Sequence, residues 1–376
     1  MTATDLAPPP TWPEDALRLN AICPYYTMFP LDFPLQQLAA FTQATRVLDP
    51  FCGRGTTLYA ARLAGLPSVG IDINPVAAAI AQAKLVRVTP GAVVRLATRI
   101  LKEGEPDDIP DGDFWRWCFE ADTLRELVIL RNALMSLNSP TAAILRAVML
   151  GILHGPQNKG LPSYLSNQMP RTYASKPAYA VRFWKQRGME PVRVPALQVI
   201  ERRAARLLAA TPAAHGGRVY LGDSVQTLNR LRQHFDLVVT SPPYYGMRTY
   251  VQDQWLRSWF LGGPAEVIYG SDGQIARQPS QEAFIEALAE VWAATARRCH
   301  PESRLAIRFG TIPSARTDPE RMLLASLEKA HAGWVVKDVR IAGTPSKRAR
   351  QAEQFGKAGS AVDEIDVIAE LADVPQ

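Results

Sequence analysis

Within FDLVVTSPPYYG, residues 235 to 246, Ser241 and Tyr244 flank the adjacent prolines Pro242 and Pro243. Phe235, Leu237, Val238 and Val239 have the length and β-branched content of a buried parallel strand. Two prolines in succession forbid its continuation as strand or helix, so the chain stops and turns there. Pro243 pushes Pro242 toward extended backbone, and the carbonyls around the pair enter neither a helix nor a ladder. They stand as fixed acceptors beside the Ser241 hydroxyl and the Tyr244 ring. A flat ring with an exocyclic amino group suits such a place, donating its N–H protons while stacking on the tyrosine. A nucleobase answers that description. A bare Ser-Pro-Pro-Tyr is also what an ordinary turn at a strand end looks like, so its weight depends on the rest of the chain.

A second constellation lies upstream, in RVLDPFCGRGTTLYAARLAGLPSVGIDINPVAAAIAQAKL, residues 46 to 85. Val47 and Leu48 read as a strand, Gly53 and Gly55 as a tight turn, Thr56 to Leu63 as a helix and Ser68 to Ile73 as a second strand, which makes a βαβ unit. The glycines let a ligand approach the backbone and the amides at the helix start, and Asp72 at the end of the second strand can accept from two ribose hydroxyls. A phosphate-cradling loop would need Gly-Lys-Ser/Thr, whereas Thr56 follows Gly55 here. A dinucleotide site would want a third glycine. Instead the turn opens with Asp49, a carboxylate suited to an amino group. S-adenosylmethionine has an amino-acid end, a ribose and no phosphate.

LDPFCGRGTT followed by GIDINPVA resembles the S-adenosylmethionine site of the DNA amino-methyltransferases, and TSPPY resembles the catalytic motif of their N4-cytosine branch. YYTMFP, with Tyr25, Thr27 and Phe29, resembles the family's segment that closes over the methionine end of the cofactor. The likeness covers roughly residues 21–85 and 218–262. It implies cofactor contacts from Asp49, Phe51, Gly53, Gly55, Thr56, Thr57, Asp72, Ile73 and Asn74, with Asp223 or Ser224 at the adenine. It implies catalysis by Ser241, Pro242, Pro243 and Tyr244, through base flipping and direct transfer of a methyl group to the N4 amino group of cytosine. The product of the cofactor would be S-adenosylhomocysteine. No covalent intermediate is needed, in keeping with the lack of a Pro-Cys dipeptide of the kind that cytosine-C5 enzymes use, and no metal is expected.

The elements that must position these residues bound the fold. With 376 residues and 47% hydrophobic content, the chain is long enough for one large α/β domain with a sizeable insertion. Its formal charge of +6 is informative only where it clusters. Cys23, Cys52, Cys118 and Cys299 show neither CxxC spacing nor disulfide-framework density, and Cys52 reads as a small packed residue. Residues 1–20 read as a flexible start without an apolar leader, and no apolar run reaches the roughly 18 residues of a membrane span, so a soluble, cytoplasmic and nucleoid-associated protein is expected. The catalytic domain is assigned to 21–85 and 218–376, with an amphipathic helix from about Leu35, helix 281–299, strand 304–310 and a terminal hairpin of Trp334–Ile341 with Glu364–Ala369. Trp255, Trp259 and Phe260 are expected in the core.

Residues 86–217 lie outside the minimal fold and carry helical periodicities at about 120–137, 141–153 and 195–210. From His154 to Gly188, Lys159, Arg171, Lys176, Arg182, Lys185 and Arg187 alternate with aromatics and no acidic residue intervenes. That composition suits a nucleic-acid surface, and equally a solvated basic loop over an aromatic minicore. Lys347 and Arg348 in a second basic loop are further candidates for phosphate contacts. The expected fold is α/β, a Rossmann-like class I methyltransferase with a seven-stranded mixed sheet, for which the resemblance implies the order 3-2-1-4-5-7-6, and an inserted helical and loop region for target recognition. The expected partner is double-stranded DNA, with a cognate restriction endonuclease as a further partner and no membrane. N6-adenine methylation, RNA base methylation and a catalytically inactive nucleic-acid-binding module are the alternatives.

Overall fold

The computed structural model describes residues 11–24, 29–156, 160–169, 176–246, 254–268, 275, 278–310, 317–342 and 364–372. A single turn α1 (Glu14–Leu17) precedes α2 (Asp32–Ala40), which starts three residues ahead of Leu35. Pro34 explains the earlier start, since a proline in the first helical turn lacks only an N–H that would be unpaired there. Strand β1 (Val47–Asp49), helix α3 (Thr56–Leu63), strand β2 (Ser68–Asp72) and helix α4 (Pro75–Ala83) then build the βαβ unit. All three residues of β1 are buried, as an interior parallel strand requires.

Among the described residues six helices follow before the sheet resumes: α5 (Pro90–Glu103), α6 (Asp113–Cys118), α7 (Ala121–Ser136), α8 (Pro140–Ile152), α9 (Pro177–Arg187) and α10 (Ala196–Leu207). Their buried side chains, among them Val93, Leu127, Val148, Trp184 and Ile200, form one continuous core with Val47, Leu237 and Val239 of the sheet. One buried arginine holds the entry and exit of this region together. Arg62 of α3 donates to the Lys84 and Val86 carbonyls on one side and to those of Pro212 and Ala213 on the other.

The rest of the sheet comes from β3 (Arg218–Leu221), β4 (Phe235–Thr240), β5 (Cys299–Gly310), β6 (Trp334–Ala342) and β7 (Glu364–Leu371), interleaved with α11 (Ser224–Arg230), α12 (Trp255–Phe260), α13 (Gln281–Ala296) and α14 (Pro319–Lys329). The strand order is β3-β2-β1-β4-β5-β7-β6. β7 runs antiparallel to both β5 and β6, and the other pairs are parallel. The seven-stranded mixed sheet is therefore the Rossmann-like arrangement expected from the sequence. α13 ends at Ala296 rather than 299, and β5 begins at Cys299, because Cys299 already pairs with Phe235 at the base of β4.

Helices cover both faces of the sheet, one with the core described above and the other with Phe284, Leu288, Trp292 and Leu323 of α13 and α14. Asp236 braces the two central strands at their base, its Oδ2 accepting from the amides of Thr45 and Arg46 at 3.0 and 3.1 Å. The order reverses between β1 and β4. In an open parallel sheet a ligand crevice forms at the carboxyl ends of the strands at such a switch point.

Candidate active site

Asp49 ends β1 and Thr240 ends β4, side by side at that reversal. The Thr240 hydroxyl donates to Asp49 Oδ1 at 2.7 Å, and the Phe51 amide donates to the same oxygen at 3.1 Å. Asp49 is fully buried, and its Oδ2 has no partner among the described residues. Burial pushes its carboxyl up to about 7. Hydrogen bonds from Thr240 and Phe51 pull the other way, and the nearby Asp72 charge adds to the rise. A buried carboxylate oxygen without a donor is costly, and an ammonium group answers both its charge and its open acceptor site.

The turn after β1 is shaped for close approach. Gly53 and Gly55 hold φ of +49° and +76°, a region that favours glycine, and a Cβ on Gly55 would stand 2.8 Å from that of Ala81. Asp72, at the end of β2, binds this turn from the other side: its Oδ2 accepts from the Gly53 amide and its Oδ1 from the Asn74 amide, both at 2.8 Å. Burial pushes the Asp72 carboxyl up to about 6, against the pull of those two amides. Each oxygen has a further lone pair for a hydroxyl donor. Asn74 caps α4 by accepting from Val76 at 2.9 Å. Beside Asp72, Ile73 and Leu221 present apolar side chains that are 46% and 60% exposed, and Leu221 lies opposite Asp72 in the β2–β3 register.

Several residues read as cofactor contacts also have structural duties. The Thr57 hydroxyl donates to the Val239 carbonyl at 3.0 Å and ties α3 to β4, and Thr56 is buried beside it. Ser224 is buried and donates to the Pro50 carbonyl at 2.6 Å, bracing the turn from behind, while Asp223 caps α11 by accepting from Gln226. Phe51 is half-buried and meets Trp292 edge-on at 6.0 Å. Phe29 packs edge-on against Phe33 of α2 at 5.5 Å. Tyr25 and Thr27 lie outside the described residues.

The loop leaving β4 starts one residue after Thr240, so Ser241 stands directly beyond the bond that joins β4 to Asp49. Pro242 is buried, and Ser241, Pro243 and Tyr244 are half-buried. The Tyr244 hydroxyl donates to Glu364 Oε1 at 2.7 Å and its ring meets Phe309 edge-on at 5.6 Å. Gly310 leaves room for that ring, since a Cβ there would come within 3.2 Å of it. Thus β5 and β7 set the tyrosine in place. Trp255, Trp259 and Phe260 of α12 are buried in the core.

The basic stretch is less uniform in space than in sequence. Trp184 is buried with its indole donating to the Gln168 carbonyl, so it belongs to the core. Lys185 pairs with Asp113 of α6 at 2.8 Å, and Arg187 folds back over Phe183 with its guanidinium 4.1 Å from the ring centre. Lys176 and Arg182 are exposed. Lys159, Arg171, Lys347 and Arg348 lie outside the described residues. Among the described residues no group of His, Cys, Asp and Glu could hold a metal ion, and no helix is long and apolar enough to cross a membrane.

Residues 15–83 match the DNA methylase family. The DNA methylase match, to N6_N4_Mtase, takes in β1, the glycine turn, Asp72 and α4, and it ends well before Ser241. No curated protein matches the chain significantly. Among solved structures, the chain is similar to the rRNA methyltransferase aviRa from Streptomyces viridochromogenes, with 14% identity, 93% of this chain and 88% of that one covered, and a TM-score of 0.35. It is also similar to TrmN from Thermus thermophilus, with 12% identity, 90% of this chain and 49% of that one covered, and a TM-score of 0.32. TehB from Haemophilus influenzae gives 8% identity, coverage of 92% and 64%, and a TM-score of 0.35.

The two raised carboxyls give the site a pH signature. A carboxyl whose pKa is raised on folding stabilises the fold fully below its unfolded value and loses that contribution as pH rises through its folded value. For Asp72 and Asp49 the loss runs from about pH 4 up to about 6 and about 7 respectively. Thermal melts of the ligand-free protein should therefore fall with rising pH across that window relative to an Asp49→Asn variant. Affinity for a ligand bearing an ammonium group should rise over the same window as Asp49 ionises. Calorimetry from pH 5.5 to 8 reads the second effect, and a flat profile would speak against Asp49 as the ammonium acceptor.

Proposed function

We propose that this chain is a DNA methyltransferase that transfers a methyl group from S-adenosylmethionine to the N4 amino group of cytosine. The observation that supports the reading is the bond between Thr240 and Asp49, which joins the end of β4, where the Ser-Pro-Pro-Tyr loop begins, to the end of β1 at the sheet's reversal point. The residues fit that cofactor. The unpartnered Asp49 Oδ2 would take its ammonium, Asp72 its ribose hydroxyls, and Ile73 with Leu221 the faces of its adenine. When bound, it supplies an electrophilic methyl group on a positively charged sulfonium.

The chain's own residues then have to make an aromatic amine nucleophilic. Its lone pair is conjugated with the ring, and acceptors at the Ser241 hydroxyl and the Pro242 carbonyl favour the tetrahedral nitrogen in which that conjugation is lost. Tyr244, fixed by Glu364 and Phe309, offers its ring to a base turned out of the helix, a contact worth about 1–3 kcal/mol. Serine supports cytosine over adenine through the resemblance, since adenine-N6 enzymes of that family more often carry Asp or Asn before Pro-Pro, and its hydroxyl proton is available to a pyrimidine ring nitrogen. Lys176 and Arg182 remain the exposed candidates for phosphate contact on this side of the insertion. A cognate endonuclease and association with the nucleoid fit such an enzyme. Incubation with radiolabelled S-adenosylmethionine and either duplex DNA or structured RNA should label the DNA. Label in RNA alone would assign the chain to a different substrate, and label in neither would leave it a binding module.

A further inference from the structure

The chain carries a net charge of +6, yet Glu103 to Asp113 contains six carboxylates and no basic residue. All six are exposed, as is Glu266, which shares a hollow with Asp111 and Asp113. Arg116 takes up Asp111 through bonds of 2.9 and 2.8 Å, and Lys185 takes up Asp113. Glu103, Glu105, Asp107, Asp108 and Glu266 form no ion pair among the described residues. This acidic stretch borders a furrow with apolar walls. A hollow of about 380 Å³ opens where α6, α9 and α12 begin, lined by Phe114, Trp115 and Trp255. A second, of about 250 Å³, lies between Pro110, Trp259 and Pro264, and Ala265 lines both. Arg131 also lines the second, but its guanidinium is engaged there, donating to the Trp259 carbonyl at 2.8 Å and lying 5.2 Å from that ring's centre. Ile109 and Ile268, each next in sequence to a lining residue, are 39% and 59% exposed. Met135, likewise exposed, has its sulfur 3.5 Å from where a Cβ on Gly262 of the second hollow would stand. Linked apolar surface left open and rimmed by charge marks an interaction site.

We propose that this furrow docks a basic segment of a partner protein, with one apolar side chain in each hollow and its lysines or arginines against the unpaired carboxylates. Charge selects that occupant. A nucleic-acid strand would set its phosphates against carboxylates, whereas a cationic segment meets complementary potential. Size selects it too, because two hollows in series with exposed isoleucines beside them exceed one small cation and suit a peptide with two anchors. Trp255 is 5% exposed, and its indole N–H is buried without an acceptor among the described residues. A backbone carbonyl entering the larger hollow would supply one. The lining includes neither Asp49, Asp72 nor the Ser-Pro-Pro-Tyr loop, so this surface is distinct from the active site proposed above.

The test pans displayed random peptides against the full chain at physiological salt, with counter-selection on Ala265→Trp. Tryptophan there fills the junction of the two hollows and leaves the charge unchanged. Selected peptides should carry a net positive charge and two apolar side chains. As labelled synthetic peptides they should bind Ala265→Trp at least about tenfold more weakly by fluorescence anisotropy, the loss expected when a buried anchor is excluded. Asp108→Asn combined with Glu266→Gln should also weaken them and flatten the salt dependence. Ile109→Ser combined with Ile268→Ser, both at exposed positions, serves the same selection and comparison if the tryptophan variant does not fold. A lack of saturable binders, selected peptides without positive charge, or equal binding by the parent and the furrow variants overturns the proposal. Displacement of the peptides by duplex DNA would make the furrow a nucleic-acid surface, and a dimer in sedimentation that Ala265→Trp dissolves would make the occupant a second copy. Either result overturns it as well.

Discussion

Replacement of Asp72 by alanine lowers the affinity for S-adenosylmethionine by about 100-fold, the scale expected when two hydroxyl donors lose a charged acceptor. The carboxylate has two functions that the substitution removes together. In the proposed reading it accepts from the ribose, and through the Gly53 and Asn74 amides at 2.8 Å it also holds the turn and the start of α4 in register. Asp72→Asn separates them. It keeps one acceptor oxygen, so it should retain part of the turn's order and lose roughly tenfold in affinity. Calorimetric titration reads both variants, and an Asp72→Ala protein that binds as tightly as the parent would remove the ribose assignment.

The second large effect falls on turnover rather than binding. Ser241→Ala should reduce the single-turnover rate of methyl transfer by about 10²- to 10³-fold, the cost of deleting one pre-organised polar group at the reacting centre. Cofactor affinity should be unchanged, because Asp49 and Asp72 do not involve that hydroxyl. A variant that loses affinity and rate together would mean that Ser241 shapes the seat instead of acting on the base. Tyr244→Phe is the natural companion. It leaves the ring in place and removes the 2.7 Å bond to Glu364, so a smaller loss than that of Tyr244→Ala is expected.

The fold was largely legible because its central strands announce themselves locally. Val47 to Asp49 and Phe235 to Thr240 are short apolar runs closed by a glycine turn and by two prolines, and the structure places them as neighbours, as the order implied. Asp49, Asp72, Gly53, Gly55 and Ser241 were read from such strand ends, where position along the sequence nearly equals position in the crevice. What was missed depends on pairs distant in sequence. Nothing around residue 364 reports that Glu364 will meet Tyr244, since antiparallel entry of β7 beside β5 brings them together. Thr240 had a visible signal, a hydroxyl closing an otherwise apolar strand, but its partner Asp49 lies 191 residues away. The inward bonds of the Thr57 and Ser224 hydroxyls, to the Val239 and Pro50 carbonyls, had no local signal for the same reason. The basic segment shows the same limit, because the acid that pairs with Lys185 comes from α6 and not from the segment itself.

The most direct test of the central claim is chemical identification of the modified base. Duplex DNA methylated by the purified protein with S-adenosylmethionine, digested to nucleosides and separated by mass spectrometry, should yield N4-methylcytosine, and the Ser241→Ala protein should yield far less. N6-methyladenine as the sole product would contradict the cytosine assignment built on Ser241, and an unmodified nucleoside profile would contradict methyl transfer to DNA altogether.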